Sequence, residues 1–260
     1  MVRYETPQPG NPHKLTIRQH LLPRKTIERF CGPDGRVHIQ FVQTSKVARH
    51  RPNSELFCAM RAWDQKAEAC LGKSIEDAFQ AIAERLCAGT LDSLSPDMHA
   101  PVTEMYLLWR HRCLRARNPL PDLKVVGITG DPTLDRDRQE RLEAGGVMFV
   151  KPDGTWPGRM MAGISLRRDI DLDWMGGAHA MRWRIWGARD SEFLVPDAFI
   201  DQPVLPVSPT ICLVSTDADA MLELPQVARL NRAAVEASNR YWFSRSPDRC
   251  PILRATSNQF

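Results

Sequence analysis

Lysine is scarce in this chain. Seven of the 35 basic residues are lysine and the other 28 are arginine. No CxxC pair occurs, and the seven cysteines (31, 58, 70, 87, 113, 212 and 250) are an odd number. Both features argue against a disulfide framework and against a thiolate zinc site. The thiols are instead expected to be reduced and mostly buried, as small apolar side chains. No apolar run approaches the roughly 20 residues that a membrane helix needs. The opening stretch "MVRYETPQPGNPHK" has no apolar signal segment. These absences predict a cytoplasmic protein without membrane contact. HNH, PD-(D/E)xK, Walker A, HExxH and GxGxxG patterns are also missing, so no familiar motif announces a reaction.

What is present is ordinary globular composition over 260 residues, 43% apolar and 25% charged. Arginine over lysine reflects either GC-rich coding or recognition of anions, because a guanidinium grips phosphate or carboxylate with two parallel bonds. The net charge of +4 is clumped. "WRHRCLRAR" (109–117, with Arg112 at its centre) and the tail from Arg229 to Arg254 are basic, whereas "DPTLDRDRQERLEAG" leans acidic. Such arginine patches point to nucleic acid or a protein as partner.

Residues 1–16 read as an extended arm, followed by a single globular domain over 17–260. Pro23 suits a helix start, and that helix reaches Phe30 before "GPDG" turns into the alternating strand "RVHIQFV". The clearest helix is 64–89, where Ala67, Leu71, Ile75, Ala78, Phe79, Ile82 and Leu86 recur at helical spacing and Gly89 stops it. A second covers about 101–117, with Val102, Met105, Leu108 and Trp109 as its apolar stripe. "LKVVGIT" and "VMFVKPDGTW" suggest strands, "PTLDRDRQERLEAGG" a helix, and "MMAGISLRRDIDLDWM" either. From 181 the pattern is β, punctuated by prolines that favour edges and bends. A final helix is expected over "PQVARLNRAAVEASNRYWFS". The fold class is α+β, with helices packed on a mostly antiparallel C-terminal sheet.

Four segments resemble, in order, the domain-of-unknown-function family numbered 4238. They are "QHLLPRKTIERF" (its His-x-x-Pro-Arg-x-x-Leu-x-x-Phe opening), "SIEDAFQAI", "FLVPDAFIDQPVLPVSP" and "LNRAAVEASNRYWFS". Ile27 stands where the family has leucine, Pro196 where a serine or threonine precedes the aspartate, and Phe199 where a proline follows. Some members of that family lie near phage-defence or mobile-element genes, so the resemblance implies a bacterial protein acting on nucleic acid.

Five polar side chains along the chain supply parts for phosphodiester hydrolysis. A free imidazole changes charge near neutrality, so His20 suits a general base or metal ligand, or else a hydrogen bond beside the helix start. Arg24 lies in a first helical turn, where anions are favoured, or pairs with Glu28 four residues on. Glu76 borders a buried stripe and needs a partner, with Arg24 or His20 as candidates. Asp197 is a working carboxylate in a proline-rich bend or a plain turn-former. Asn231 borders the stripe of the last helix. With a divalent Mg²⁺ or Mn²⁺, or with no cofactor, His20, Glu76 and Asp197 would be the catalytic set and Arg24, Asn231 and Arg112 would hold substrate. The alternative is a non-catalytic binding module that uses its arginine patches. Asp131, Asp135 and Asp137 form a second acidic group, more in keeping with a solvated helix face. Trp183, Trp186 and Trp242 beside arginines offer base stacking or simply sheet core.

Overall fold

The computed structural model describes residues 4–199 and 203–253. In chain order the strands and α-helices are β1 Arg18–His20, α1 Arg24–Arg29, β2 Val37–Phe41, β3 Val47–His50, β4 Cys58–Met60, α2 Lys73–Cys87, α3 His99–Arg117, β5 Leu123–Lys124, α4 Arg136–Ala144, β6 Thr155–Trp156, α5 Gly158–Met175, β7 Trp183–Ala188, β8 Val195–Pro196, β9 Val204–Ser208, β10 Ile211–Ser215, β11 Ala220–Leu222, α6 Leu224–Ala237 and β12 Tyr241–Ser244. The fold is α+β. Two compact units divide the chain. The first comprises 1–21, 55–78 and 107–179, the second 22–54, 79–106 and 180–260.

In the first unit β1 and β4 form a two-stranded antiparallel ribbon, and β5 and β6 another. A π-helical turn, Ala67–Gly72, leads into α2. Ala67 of this turn packs with Ala59, Trp63 and, from α5, Ala162 and Leu166 in one cluster. Close approach here needs glycine. A Cβ on Gly163 of α5 would fall 1.8 Å from the Asp64 carboxylate, and one on Gly72 would fall 2.3 Å from the Arg112 guanidinium. The N-terminal segment folds through turns at Gln8–Asn11 and Asn11–Lys14. It is tied down where Glu140 accepts from the Gln8 N–H (2.8 Å) and Gln65 from the Thr16 N–H (2.8 Å). The ambiguous stretch 160–175 is helix, part of α5. The expected strands at 123–129 and 147–156 shrink to two residues each.

The second unit holds two four-stranded sheets, ordered β11-β7-β10-β9 and β3-β2-β12-β8. Every pairing is antiparallel except β11 with β7. In β2 the alternation of the sequence is met: Val37 and Ile39 are buried, and His38 and Gln40 are half-buried on the other face. β3 carries no comparable apolar signal, and its register comes from pairing Val37 with His50 and Gln40 with Val47. Helix α6 buries Val227, Ala228, Asn231 and Ala234. Val227 and Ala234 join Phe193, Leu194, Val204, Cys212, Val214 and Trp242 in one core cluster.

The last helix is shorter than its periodicity predicts. It ends at Ala237, and Tyr241–Ser244 is strand β12. The apolar and aromatic run "YWF" continues a helical spacing, but it pairs with β2 instead. Of the α2 stripe, Ala67, Ile75, Phe79, Ile82 and Leu86 are buried and Ala78 is exposed. Helix α3 is buried nearly all round. Val102, Met105, Leu108 and Trp109 are joined by Tyr106 and Leu107, which explains why a single stripe described it poorly.

Candidate functional site

The six residues singled out from the sequence divide between the units. His20, Glu76 and Arg112 belong to the first, and Arg24, Asp197 and Asn231 to the second.

In the first unit the geometry joins Glu76 with Arg112. Arg112 is 1% exposed. It donates to Glu76 Oε1 at 2.5 Å and to Glu68 Oε2 at 3.2 Å, and its guanidinium carbon lies 5.4 Å from the centre of the Trp63 ring. Trp63 Nε1 donates to the same Glu68 oxygen at 2.7 Å. The partner of Glu76 is therefore Arg112, not Arg24 or His20. Buried among these groups, Arg112 has no surface left to offer a substrate. The sequence could not announce this pairing, because 36 positions separate the two residues and the π-helical turn that admits the guanidinium leaves no trace in composition. His20 lies at the end of β1, directly opposite Cys58 of β4.

A second ionic group in this unit went unforeseen. Glu143, 3% exposed, accepts from buried Arg61 (2.8 Å) and from Arg159 (2.7 and 3.0 Å). Arg159 also holds Glu5. Burial pushes the Glu5 carboxyl up, but Arg159 and Lys151 outweigh it and keep it below the usual carboxylate range. Burial likewise works against the charge on Arg159, and Glu143 and Glu5 overcome it. Both carboxylates are committed to the fold.

In the second unit the three candidates serve local structure. Arg24 Nε bonds Glu28 Oε1 at 2.8 Å, the ion pair one helical turn on. Asn231 is buried. Its Oδ1 accepts from the Leu194 N–H (3.0 Å), and its Nδ2 donates to the carbonyls of Glu192 (2.9 Å) and Pro251 (3.0 Å). It borders a small cleft lined by Phe193, Leu194, Pro206, Cys212 and Leu230, too apolar to orient a polar substrate. Asp197 accepts from the Asn239 N–H (2.7 Å) and the Arg240 N–H (3.0 Å), and its own N–H donates to the Tyr241 carbonyl (3.0 Å). It thus turns the chain from α6 into β12. Trp183 is fully buried, with Nε1 donating to Thr103 Oγ1 at 2.8 Å, and Trp242 lies in the core, so neither presents a face for base stacking. Asp135 caps α4, accepting from the Arg138 N–H, and Asp131 accepts from Thr133; Asp137 bonds His13 at 2.7 Å.

Among the described residues no three His, Cys, Asp or Glu side chains stand together as ligands for a metal ion. The expectation of Mg²⁺ or Mn²⁺ therefore finds no assembled donor set there. Among them, too, no helix is long and apolar enough to cross a membrane.

A feature that does gather charge is the β2–β3 hairpin with its approaches. Residues 22–54 carry seven Arg or Lys and two Asp or Glu. Arg36, Lys46, Arg49 and Arg51 are exposed. Arg49 pairs with Asp34 at 2.9 Å. The Val42 N–H donates to the Arg240 carbonyl, which brings exposed Arg240 to the same end as Lys46. Val42 and Val47 are exposed between them. The signal in the sequence was the local excess of basic residues, hidden because "RHRPNSE" breaks every periodicity. No protein-family model, curated protein or solved structure matches the chain.

Proposed function

We propose that this protein is a binding module for polyanions, with nucleic acid as the ligand class and the β2–β3 hairpin of the second unit as the contact surface. The observation that carries the reading is the basic excess of residues 22–54, displayed on solvent-facing side chains. Arg36 and Arg51 flank one end of the hairpin and Lys46 the other. Four paired residues separate them, about 13 Å at 3.3 Å each, enough to face roughly four phosphates at 3.4 Å per nucleotide. The exposed valines give bases or sugars an apolar contact. Glu76, Asp197, Arg24, Asn231 and Arg112 are engaged in internal bonds, which favours binding over phosphodiester hydrolysis. A place in bacterial or phage defence, or in a mobile element, rests on the resemblance to the 4238 family.

Fluorescence anisotropy with labelled single- and double-stranded oligonucleotides tests the proposal. Affinity should fall linearly in log–log form as salt rises. Replacing Arg36, Lys46 and Arg51 together by Gln should reduce the slope by about 2–3 and leave the melting temperature unchanged. No measurable binding at low salt, or binding indifferent to this triple change, overturns the reading. The same oligonucleotides incubated with Mg²⁺ or Mn²⁺ test the enzyme alternative. Cleavage abolished by His20→Ala, and by Asp197→Ala at a temperature where that variant is still fully folded, would favour the nuclease.

A further inference from the structure

Helix α5 of the first unit carries apolar side chains on two faces. One face is buried through Met160, Ala162, Leu166 and Ile170. On the other, Ile164, Arg167, Arg168, Asp171, Leu172 and Met175 are exposed, Met175 to 78%. These six stand at i, i+3, i+4, i+7, i+8 and i+11, the spacing of a single stripe along a helix. At 1.5 Å per residue the stripe is about 16 Å long. The remaining acids of the helix, Asp169 and Asp173, turn toward α3. Asp169 pairs with Arg115, and Asp173 bonds Arg110 (3.1 Å) and His111 (2.8 Å).

Scattered exposed apolar residues need no explanation, but the order of this stripe has a particular symmetry. Set two copies of α5 antiparallel, with a two-fold axis at the level of the Asp169–Ile170 peptide. Every exposed residue then faces another of the six. Ile164 faces Met175 of the second copy, Arg167 faces Leu172, and Arg168 faces Asp171, each pairing occurring twice. Apolar meets apolar, cation meets anion, and the aliphatic stem of Arg167 lies along Leu172. A parallel, in-register pair would instead set Arg168 on Arg168 and Asp171 on Asp171. A two-fold contact requires one patch to complement itself, and the antiparallel arrangement meets that requirement. Within one copy Arg168 donates to Asp169 through Nε and Nη2 (3.1 and 2.9 Å). A guanidinium has five donors, so Arg168 can hold a second acid. Asp171 accepts from Arg167 Nε at 2.8 Å through Oδ2, and a carboxylate has room for another donor.

We infer that the exposed stripe of α5 is a self-association surface, occupied by the same stripe of a second copy of this chain in an antiparallel two-fold dimer. Helices packed side by side lie about 8–10 Å apart, close enough for Arg168 to reach Asp171 across the axis. A contact carried by one short stripe belongs with interfaces below about 1,200 Å² in total. The dimer is therefore weak, and it forms at high concentration. The surface is independent of the basic hairpin and of any polyanion.

Sedimentation velocity of the full chain under reducing conditions, from about 10 μM to about 1 mM, should show monomer passing into dimer. Arg168→Asp and Asp171→Arg each set like charges against one another at both symmetric contacts, and each should weaken association at least about tenfold. An equimolar mixture of the two variants puts opposite charges back at both contacts. It should associate within about threefold of the parent, which a pair of misfolded chains would not do. Ile164→Gln combined with Met175→Gln should also weaken the dimer about tenfold. These surface changes should leave the melting temperature close to that of the parent. A parent that stays monomeric at about 1 mM leaves the stripe to another occupant and overturns the inference. A dimer indifferent to both charge reversals, or a mixture that associates no better than its components, overturns it too.

Discussion

Asp64 is a carboxylate poorly placed for its charge. It is buried against Gly163, accepts a long bond from the Ala67 N–H (3.4 Å), and begins the helical stretch that leads through the π turn into α2. Burial pushes its carboxyl above the ordinary value, the backbone N–H of Ala67 pulls the other way, and nearby Glu143 adds to the rise. A raised acid binds more protons folded than unfolded, so stability falls as pH climbs from the unfolded value through the folded one. Asp64→Asn keeps the capping acceptor and removes the charge. The variant should melt higher than the parent at pH 7, and the gap should close toward pH 4 in differential scanning calorimetry. His99 behaves in the opposite sense. Burial lowers its imidazole, with Arg182 and Arg184 adding to the effect, and its Nδ1 accepts from the Trp183 N–H at 3.2 Å. Its stabilising contribution is present above the unfolded value near 6.5 and is lost as pH falls through the folded one. Urea midpoints should decline between pH 7 and 5, and less steeply in His99→Gln.

At the scale of elements, two carboxylates show what could and could not be seen in advance. Glu76 was expected to need a partner because it borders a buried stripe, and it has one. The partner's identity required α3, whose Arg112 enters beside Gly72. Arg112→Ala should cost about 3 kcal/mol, the lower end for breaking a buried pair since both carboxylates keep some solvent. Chemical denaturation measures it. Asp197→Ala should cost about 1–2 kcal/mol by orphaning the Asn239 and Arg240 N–H groups, and hydrogen exchange should quicken at those amides. The helices with strong apolar repeats were legible, and so was the alternation of β2. The end of α6 was not, because the group that stops it lies some 40 positions upstream, and the weak strand β3 draws its register from its neighbour. The same non-locality hid which candidate side chains meet.

Across the whole molecule charge and thiols are spread unevenly in different ways. The first unit has 18 basic and 16 acidic residues and the second 17 and 15, so neither is a basic body as a whole, and attraction for polyanions has to come from a local cluster. Cysteine exposure is graded. Cys70 and Cys87 are exposed, Cys31 and Cys58 half-buried, and Cys113, Cys212 and Cys250 buried. Burial pushes the Cys250 thiol up to about 12 and raises Cys212 as well. Ellman's reagent should therefore react quickly with two thiols, slowly with two more, and with the last three only as the chain unfolds.

Strand β2 pairs with β12, so that Phe41 meets Tyr241 200 positions later. A ribosome adding 5–20 residues per second leaves the early hairpin without that neighbour for about 10–40 s. Throughout that interval one edge of β2 offers its backbone to any passing strand. The newborn chain should thus lean on chaperones until β12 emerges.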